Sequence, residues 1–228
     1  ADNSVTLGNA SVTDVFMSQD SQAYIHSQTV NDHVANTMSA PYYRFDGTDD
    51  KITANNVVID FPFSVSCNFR TGTSFATSNL FSLNDENDAN QYWGLMIDGS
   101  GNLNVIRRDG GAEKLNDTGF DCVVNTNYHV VGVWNSATTA TVYVNGVSVY
   151  DATGLDTVTI DSDFDKFLIG YLRVTSPVYF WNDAISDVKL FNLELTATEV
   201  KELYSGGSVP FKYKGADQTL ENTSNCVN

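Results

Sequence analysis

Short runs in which apolar and polar residues alternate are the feature that most constrains the fold of this chain. Runs such as FSVSCNFR and ATVYV place apolar side chains at every second position, as a half-buried strand requires. Asn145-Gly146 lies between two such runs and is typical of a tight β-hairpin, because both central residues of the turn need positive φ. The pattern predicts an all-β sandwich of antiparallel strands.

One segment near the C-terminal end has a helical pattern instead. In LTATEVKELYSGG, Thr196 is the predicted N-cap, Glu199 completes a capping box, and Gly206-Gly207 ends the helix. The sequence therefore predicts one short helix over residues 197–204. Its predicted buried stripe consists of Val200, Leu203 and Tyr204.

The charge of the chain limits its partners. Twelve Lys and Arg residues oppose 28 Asp and Glu residues, so the formal net charge is −16. Such a field repels nucleic-acid phosphates, and we expect no nucleic-acid partner. No apolar run reaches the roughly 18 residues that span a bilayer, so we expect no membrane insertion. The acidity is typical of a chain kept soluble in a salty medium; the alternative is cation binding.

Two groups of residues follow one another in a specific order. The first is His129-Val130, Trp134 and Val142-Tyr143-Val144-Asn145-Gly146; the second is Ile185, Asp187-Val188 and Leu190-Phe191-Asn192, before the predicted helix. In this order the chain resembles the laminin-G-like branch of the concanavalin A-like lectin/glucanase superfamily. The resemblance implies a jelly-roll sandwich of two antiparallel sheets, with His129, Trp134 and Trp181 packed inside it.

The two ends of the chain differ from its middle. They are rich in Ser, Thr, Asn and Asp without a firm period, which predicts an N-terminal arm (1–40) and a C-terminal extension (206–228) around a domain of residues 41–205. LYSGGSVPFKYKG resembles the stretch that follows such modules in structural proteins of marine bacteriophages. This resemblance implies a virion or extracellular surface. Segments of this kind often order on a partner, so we expect a homo-oligomer and contacts with other virion or fibre proteins.

Glucanases belong to the same superfamily, but their catalytic pattern is missing here. They carry a Glu-x-Asp-x-(x)-Glu pattern, which supplies the two carboxylates of glycoside hydrolysis. None of the glutamates forms this pattern: Glu86, Glu113, Glu194, Glu199, Glu202 and Glu221. The Arg/Glu strand of the alginate-lyase branch is missing as well. We therefore predict that the protein is not an enzyme.

Two groups of aspartates suit a hard cation with oxygen ligands, and we predict a structural Ca²⁺ at one of them. The first group is Asp161, Asp163 and Asp165, whose alternation aims all three carboxylates to one side of a strand. The second is Asp46, Asp49 and Asp50, which the fold implied by the resemblance brings towards Asp187. The alternative is that these side chains cap turns and form a solvated acidic face.

Aromatic residues beside arginines are the candidates for contacts with a sugar. Ring faces cover the C–H surfaces of sugars, and polar groups bond to their hydroxyls. The candidate ligand-binding residues are Tyr92, Trp93, Arg107, Arg108, Tyr171, Arg173 and Tyr179. The alternative is that each of them is an ordinary core or surface residue with no ligand contact.

These observations favour a non-catalytic module for recognition of a glycan or host surface, as part of a virion or cell-surface fibre. The alternative is a purely structural virion protein, a capsid-decoration or tail component that binds no sugar. A polysaccharide-cleaving enzyme is the third class.

Overall fold

A computed structural model describes residues 42–85, 91–109, 111, 113–155, 164–173 and 176–205. The predicted N-terminal arm and C-terminal extension lie outside the described residues. The strands are β1 (Tyr43–Asp46), β2 (Ile52–Asn55), β3 (Phe63–Arg70), β4 (Ser78–Asp85), β5 (Gln91–Ile97), β6 (Asn102–Asp109), β7 (Lys114–Asp121), β8 (Asn127–Ser136), β9 (Thr139–Val144), β10 (Val147–Thr153), β11 (Phe164–Ile169), β12 (Leu172–Arg173), β13 (Pro177–Val178) and β14 (Asn182–Phe191). Helix α1 follows (Ala197–Tyr204).

Two six-stranded antiparallel sheets make up the domain, which confirms the predicted jelly-roll sandwich. We call them sheet A, with the order β1-β14-β3-β8-β9-β10, and sheet B, with the order β2-β11-β4-β5-β6-β7. Strands β12 and β13 form a small separate hairpin. Within the described residues, no helix has the length and apolar character needed to cross a membrane.

Alternation along β3 and β8 supplies much of the core between the sheets. Phe63 and Val65 on β3 are buried on the inner face, and the ring of Trp134 on β8 stacks on Phe63 with centroids 4.9 Å apart. A Cβ at Gly132 would lie 2.5 Å from the Trp134 ring, so a glycine lets the indole lie across its own strand. Trp134 and Trp181 are core residues, as predicted. Burial of each such side chain contributes roughly 1.5–3 kcal/mol.

The Asn145-Gly146 hairpin forms as predicted. Asn145 has φ of 50° and Gly146 has φ of 77°, and the two residues join β9 to β10. Both values lie in the region that the tight hairpin turn demands.

Helix α1 begins at the predicted cap. The Glu199 N–H donates to Thr196 Oγ1 at 3.4 Å, and the Thr196 N–H donates to the Glu199 carboxylate at 2.8 Å. This reciprocal pair satisfies two helix-end donors and confirms the capping box.

The helix covers the outer face of sheet A. Val200 and Leu203 are buried against Val131 and Val133, which point outward from β8. The prediction that Tyr204 belongs to the buried stripe is wrong, because its side chain is 52% exposed. Tyr204 lies in the last turn, beyond the apolar patch.

Candidate functional site

One end of the sandwich carries a pocket of about 120 Å³, which we call the loop pocket. It lies where the turn after β1, the loop after β3 and the residues that lead into β14 meet. Its polar lining includes Asp46, Ser74 and Asn182, and its aromatic lining includes Phe75, Phe180 and Trp181. The pocket therefore combines hydrogen-bonding groups with ring surfaces.

The β1–β14 ladder sets the position of the two main polar groups. Asp46 and Asn182 are the last directly opposed residues of this ladder, so both side chains reach the pocket from neighbouring strands. Glycines allow the loops to approach Asn182 closely. A Cβ at Gly47 would lie 3.0 Å from Asn182 Cβ, and one at Gly72 would lie 3.0 Å from the Asn182 carbonyl oxygen.

The loop after β3 is held by hydrogen bonds to the loop before β8. Thr71 Oγ1 donates to the Val123 carbonyl at 2.6 Å, and the Thr126 N–H donates to Thr71 Oγ1 at 3.0 Å. The Asn125 N–H donates to the Gly72 carbonyl, also at 3.0 Å. These bonds fix one wall of the loop pocket.

An acidic cluster of Asp46, Asp49 and Asp50 borders the pocket. One carboxylate oxygen from each residue lies within 4.8 Å of the others. The Thr48 N–H donates to Asp46 Oδ1 at 2.8 Å. This hydrogen bond is the main reason that the pKa of Asp46 is lowered. The negative charge of Asp50 is the main cause that raises the pKa of Tyr43.

The acidic cluster is compatible with a hard cation, but its geometry also serves the turn. Three converging carboxylates provide the oxygen ligands that Ca²⁺ prefers. However, Asp46 Oδ1 accepts the N–H groups of Thr48 and Asp49, and Asp50 Oδ2 accepts the Asp46 N–H at 3.0 Å. Calcium at this position stays a prediction.

Asp187 does not join the acidic cluster, so this part of the predicted metal site is wrong. In the antiparallel β1–β14 ladder, Asp46 lies opposite Asn182 and Tyr43 lies opposite Ile185. The chain from Asn182 to Asp187 therefore runs away from Asp46. The Asp187 carboxylate instead forms an ion pair with Lys189 at 2.5 Å.

The other predicted metal group is described only at Asp165. Asp161 and Asp163 lie outside the described residues. Asp165 lies near the start of β11, and Gly170 follows the other end of that strand. Gly170 is the part of this segment that contacts Phe45, the neighbour of Asp46, because a Cβ there would meet the Phe45 ring. Five residues of strand cover about 16 Å, so Asp165 lies well away from the acidic cluster.

Two of the predicted ligand residues point into the sandwich. Trp93 and Arg107 are opposed on β5 and β6 and are fully buried, with the guanidinium carbon 5.9 Å from the centre of the indole ring. Arg107 Nη2 donates to Asn116 Oδ1 at 2.8 Å. Because alternation aims these side chains inward, Trp93 is not available for a surface contact, and Arg107 reaches solvent only at a second pocket, which Glu113 and Asn116 also line.

Tyr92 and Tyr171 are buried at the outer face of sheet B. The apolar cluster there joins Tyr92 and Leu172 to Met96 and Ile106, so the β12–β13 hairpin helps to cover the sheet. Burial raises the pKa of Tyr92, whose hydroxyl donates to the Glu113 carboxylate. The Tyr171 hydroxyl is hydrogen-bonded to Thr53 Oγ1 at 2.7 Å. These two tyrosines are likewise not exposed contacts.

The side chains of the β4 strand anchor this hairpin. Asn79 Nδ2 donates to the Tyr171 carbonyl at 2.7 Å, and Asn84 Nδ2 donates to the Arg173 carbonyl at 3.1 Å. The outer face of sheet B is therefore occupied by the protein itself along β4.

The remaining three predicted ligand residues are partly exposed but do not lie together. Arg108 lies opposite Tyr92, and its Nε donates to the Gly111 carbonyl at 2.8 Å. The Arg173 carbonyl accepts a hydrogen bond from Asn84. Both arginines therefore lie towards the end of sheet B that is remote from the loop pocket. Tyr179 is 37% exposed and adjoins Phe180 of the pocket lining. Tyr171 also adjoins the pocket lining, because its ring stacks on Phe180 with centroids 6.2 Å apart, but its side chain is buried.

Asn182, Phe75 and Ser74 were missed by sequence reasoning. The loop pocket joins them to Asp46, which was predicted as a metal ligand, although they come from three distant parts of the chain. The only local signals are Asp46-Gly47 and Thr71-Gly72, which indicate turns and name no ligand group.

Comparison with known proteins agrees with this architecture. The laminin G family model, described as concanavalin A-like lectin/glucanases superfamily, matches residues 46–201. The chain belongs to this superfamily. A comparison with curated proteins found no match.

Solved structures share the fold of this superfamily member. The native heptameric SAP-like pentraxin from Limulus polyphemus has a TM-score of 0.60 and 19% identity, over 74% of this chain and 83% of the pentraxin. Domain 4 of AbnA, a GH43 extracellular arabinanase from Geobacillus stearothermophilus, in complex with arabinotriose, has a TM-score of 0.54 and 19% identity, over 66% and 69% of the two chains. The K499G mutant of NanB sialidase from Streptococcus pneumoniae has a TM-score of 0.57 and 22% identity, over 70% of this chain and 27% of the sialidase. Identities this low show a common fold alone.

Proposed function

We propose that this protein is a carbohydrate-recognition module that binds a glycan of a host or cell surface in its loop pocket without cleaving it. The observation that carries the proposal is the pairing of Asp46 with Asn182 beside two aromatic side chains at the rim of the sandwich. The AbnA domain, which has a similar fold, was solved with arabinotriose, and this supports a sugar as the ligand class.

The chemistry of the pocket suits hydroxyl-rich ligands. A carboxylate accepts hydrogen bonds from sugar hydroxyls, while an amide both donates and accepts, so Asp46 and Asn182 together can hold neighbouring hydroxyls. Phe75 and Phe180 are half-buried in the wall and present apolar ring surface to sugar C–H groups. The small volume of the pocket suits the edge of one sugar ring.

The ionised state of Asp46 suits this carboxyl to hydrogen bonding with a ligand and not to proton donation. Glycoside hydrolysis needs a carboxylic acid with a raised pKa as proton donor, beside a second carboxylate. The turn N–H groups shift the pKa of Asp46 in the opposite direction, so this carboxyl stays ionised. Asp46 is therefore suited to accept hydrogen bonds and poorly suited to donate a proton.

A glycan array with the soluble full chain tests the proposed function. We expect binding to a defined set of glycans, weakened but still measurable in Asn182→Ala and unchanged in Arg173→Ala, which removes a predicted ligand residue remote from the loop pocket. Absence of binding to every glycan on the array would contradict the function. Loss of binding in Arg173→Ala, with binding unchanged in Asn182→Ala, would move the site to the far end of sheet B.

The proposal extends to location. We propose that the module is displayed on a virion or other extracellular surface, and the support is the resemblance of LYSGGSVPFKYKG to bacteriophage structural proteins. Immunogold labelling of purified virions or cell surfaces is the direct measurement. Labelling confined to the interior of cells would contradict a surface location.

A further inference from the structure

Asp183, next to the pocket residue Asn182, has a backbone conformation that residues other than glycine rarely adopt. Its φ is 122°, and it still pairs in register with Phe45 in the β1–β14 ladder. L-residues rarely occupy this region, and such conformations persist only where the surroundings hold them. Residues of this kind cluster at binding sites, where the strain sets the position of a neighbouring group.

A partly buried ion pair holds Asp183 in place. Arg70 Nη1 donates to Asp183 Oδ2 at 2.7 Å, and the two side chains are 24% and 10% exposed. Arg70 Nη2 also donates to the Asn125 carbonyl at 3.3 Å. Arg70 is the last residue of β3 and directly precedes Thr71-Gly72 in the pocket wall, so one guanidinium links three segments at this end of the sandwich.

The same surroundings confine Asn182. Gly47 and Gly72 approach it so closely that a Cβ on either glycine would be 3.0 Å from an Asn182 atom. The residue is nevertheless exposed at the rim of the loop pocket. The Asn182 side chain therefore has little free space on the side of the two glycines, and the residue that follows it is strained.

We propose that Arg70 and Asp183 are positioning residues that orient Asn182 for ligand binding in the loop pocket. This inference rests on the proposed function of that pocket. The ion pair offsets the unfavourable backbone of Asp183, and the backbone in turn directs the amide of Asn182 between Gly47 and Gly72. Preorganisation of this kind raises affinity because less ordering remains to be done on binding.

The test compares variants of the full chain that break the ion pair. Arg70→Met removes the cation, and Asp183→Asn removes the anion with little change in size. Arg44→Met is the matched control, because Arg44 is exposed on β1 and its substitution changes the net charge by the same amount as Arg70→Met. Asn182→Ala removes the group on which the pair is proposed to act.

The first measurement needs no ligand. In ¹⁵N–¹H spectra we expect Arg70→Met and Asp183→Asn to shift or broaden the side-chain amide signals of Asn182, and Arg44→Met to leave them in place. Unchanged Asn182 signals in both pair variants would overturn the positioning role.

The second measurement titrates arabinotriose, maltotriose, cellotriose and triacetylchitotriose separately. For a trisaccharide that the unaltered protein binds, we expect Arg70→Met to weaken binding about tenfold and to cause no further loss in the Asn182→Ala background. An equal loss in that background would mean that Arg70 acts on the pocket as a whole, and undiminished binding by Arg70→Met would also overturn the inference. If the protein binds none of the four, the Asn182 amide signals alone decide the positioning role, and the failure belongs to the proposed function.

Discussion

At the scale of single residues, His129 shows how burial changes chemistry. Its side chain is 5% exposed, Nε2 lies 2.9 Å from Ser66 Oγ, and the ring lies 5.9 Å from that of Tyr204 on α1. Burial, with a smaller effect from the Lys189 ammonium, lowers the pKa of His129 to about 4. The native protein therefore keeps this imidazole neutral through most of the range in which a free histidine titrates.

This pKa predicts a loss of stability in acid. Between pH 6.5, the ordinary value, and about pH 4, the unfolded chain binds a proton on His129 that the native chain does not. The free energy of unfolding therefore falls as pH drops through this window, by about 3 kcal/mol in total for this group. Denaturant unfolding of the unaltered protein and of His129→Gln, measured from pH 7.5 to pH 4, isolates the effect. Equal pH slopes in the two proteins would contradict it.

At the scale of elements, α1 shows how a local motif and a tertiary contact combine. The capping box sets where the helix begins, and Val200 and Leu203 attach it to the outer face of sheet A. Ser64 lies on that outward face, and the segment before the helix buries it. The Ser64 hydroxyl donates to the Leu193 carbonyl at 2.8 Å and accepts the Leu195 N–H at 3.1 Å. The segment before the helix thus belongs to the same docked unit.

Loss of the cap predicts a small, specific destabilisation. Thr196→Ala should cost about 1 kcal/mol, because the Glu199 N–H then loses its acceptor. Thermal unfolding should show a melting temperature lower by about 2–4 °C for a domain of this size. Thr196→Ser, which keeps the hydroxyl, is the control. A loss in Thr196→Ser as large as in Thr196→Ala would mean that the methyl packing matters and the hydrogen bond does not.

At the scale of the whole molecule, the excess of negative charge limits which partners the protein can bind. A net charge of −16 disfavours anionic partners, and it also makes each cluster of carboxylates costly unless a cation or solvent screens it. The acidic cluster lies within the region matched by the family and beside the loop pocket. A bound Ca²⁺ would tie the turn after β1 together and stabilise the native state by mass action.

The calcium prediction is tested by removal of the ion. We expect chelator to lower the melting temperature of the unaltered protein and to have no effect on Asp49→Asn. Asp187→Asn is the control, because it makes the same change of charge outside the acidic cluster, and it should respond to chelator as the unaltered protein does. An unchanged melting temperature together with no metal in elemental analysis would contradict the prediction.

The assembly state is a separate prediction at this scale. We expect a homo-oligomer held through residues 1–40 or 206–228, because polar segments with scattered apolar residues order on partners. Light scattering should give a multiple of the 25.0 kDa chain mass. The same measurement after removal of residues 1–40 shows which end is responsible. A monomeric mass for the full chain at high concentration would contradict the prediction.

Local features of this protein were determined by the sequence itself. The Asn145-Gly146 turn depends on two residues that tolerate positive φ, and the α1 cap depends on groups three residues apart. Alternation along β3 needs only the two-residue period of a strand. Each of these features involves neighbours in the chain, so the residues that decide it can be read together.

Burial and the candidate site were decided by the tertiary structure. Alternation marks Tyr92 and Trp93 as facing opposite ways, but both are buried, because the core takes one and the outer-face cluster with Leu172 takes the other. The loop pocket depends on the β1–β14 register that opposes Asp46 and Asn182. No local rule specifies that register, because β1 and β14 are far apart in the sequence. They pair only when the two sheets close over a shared core.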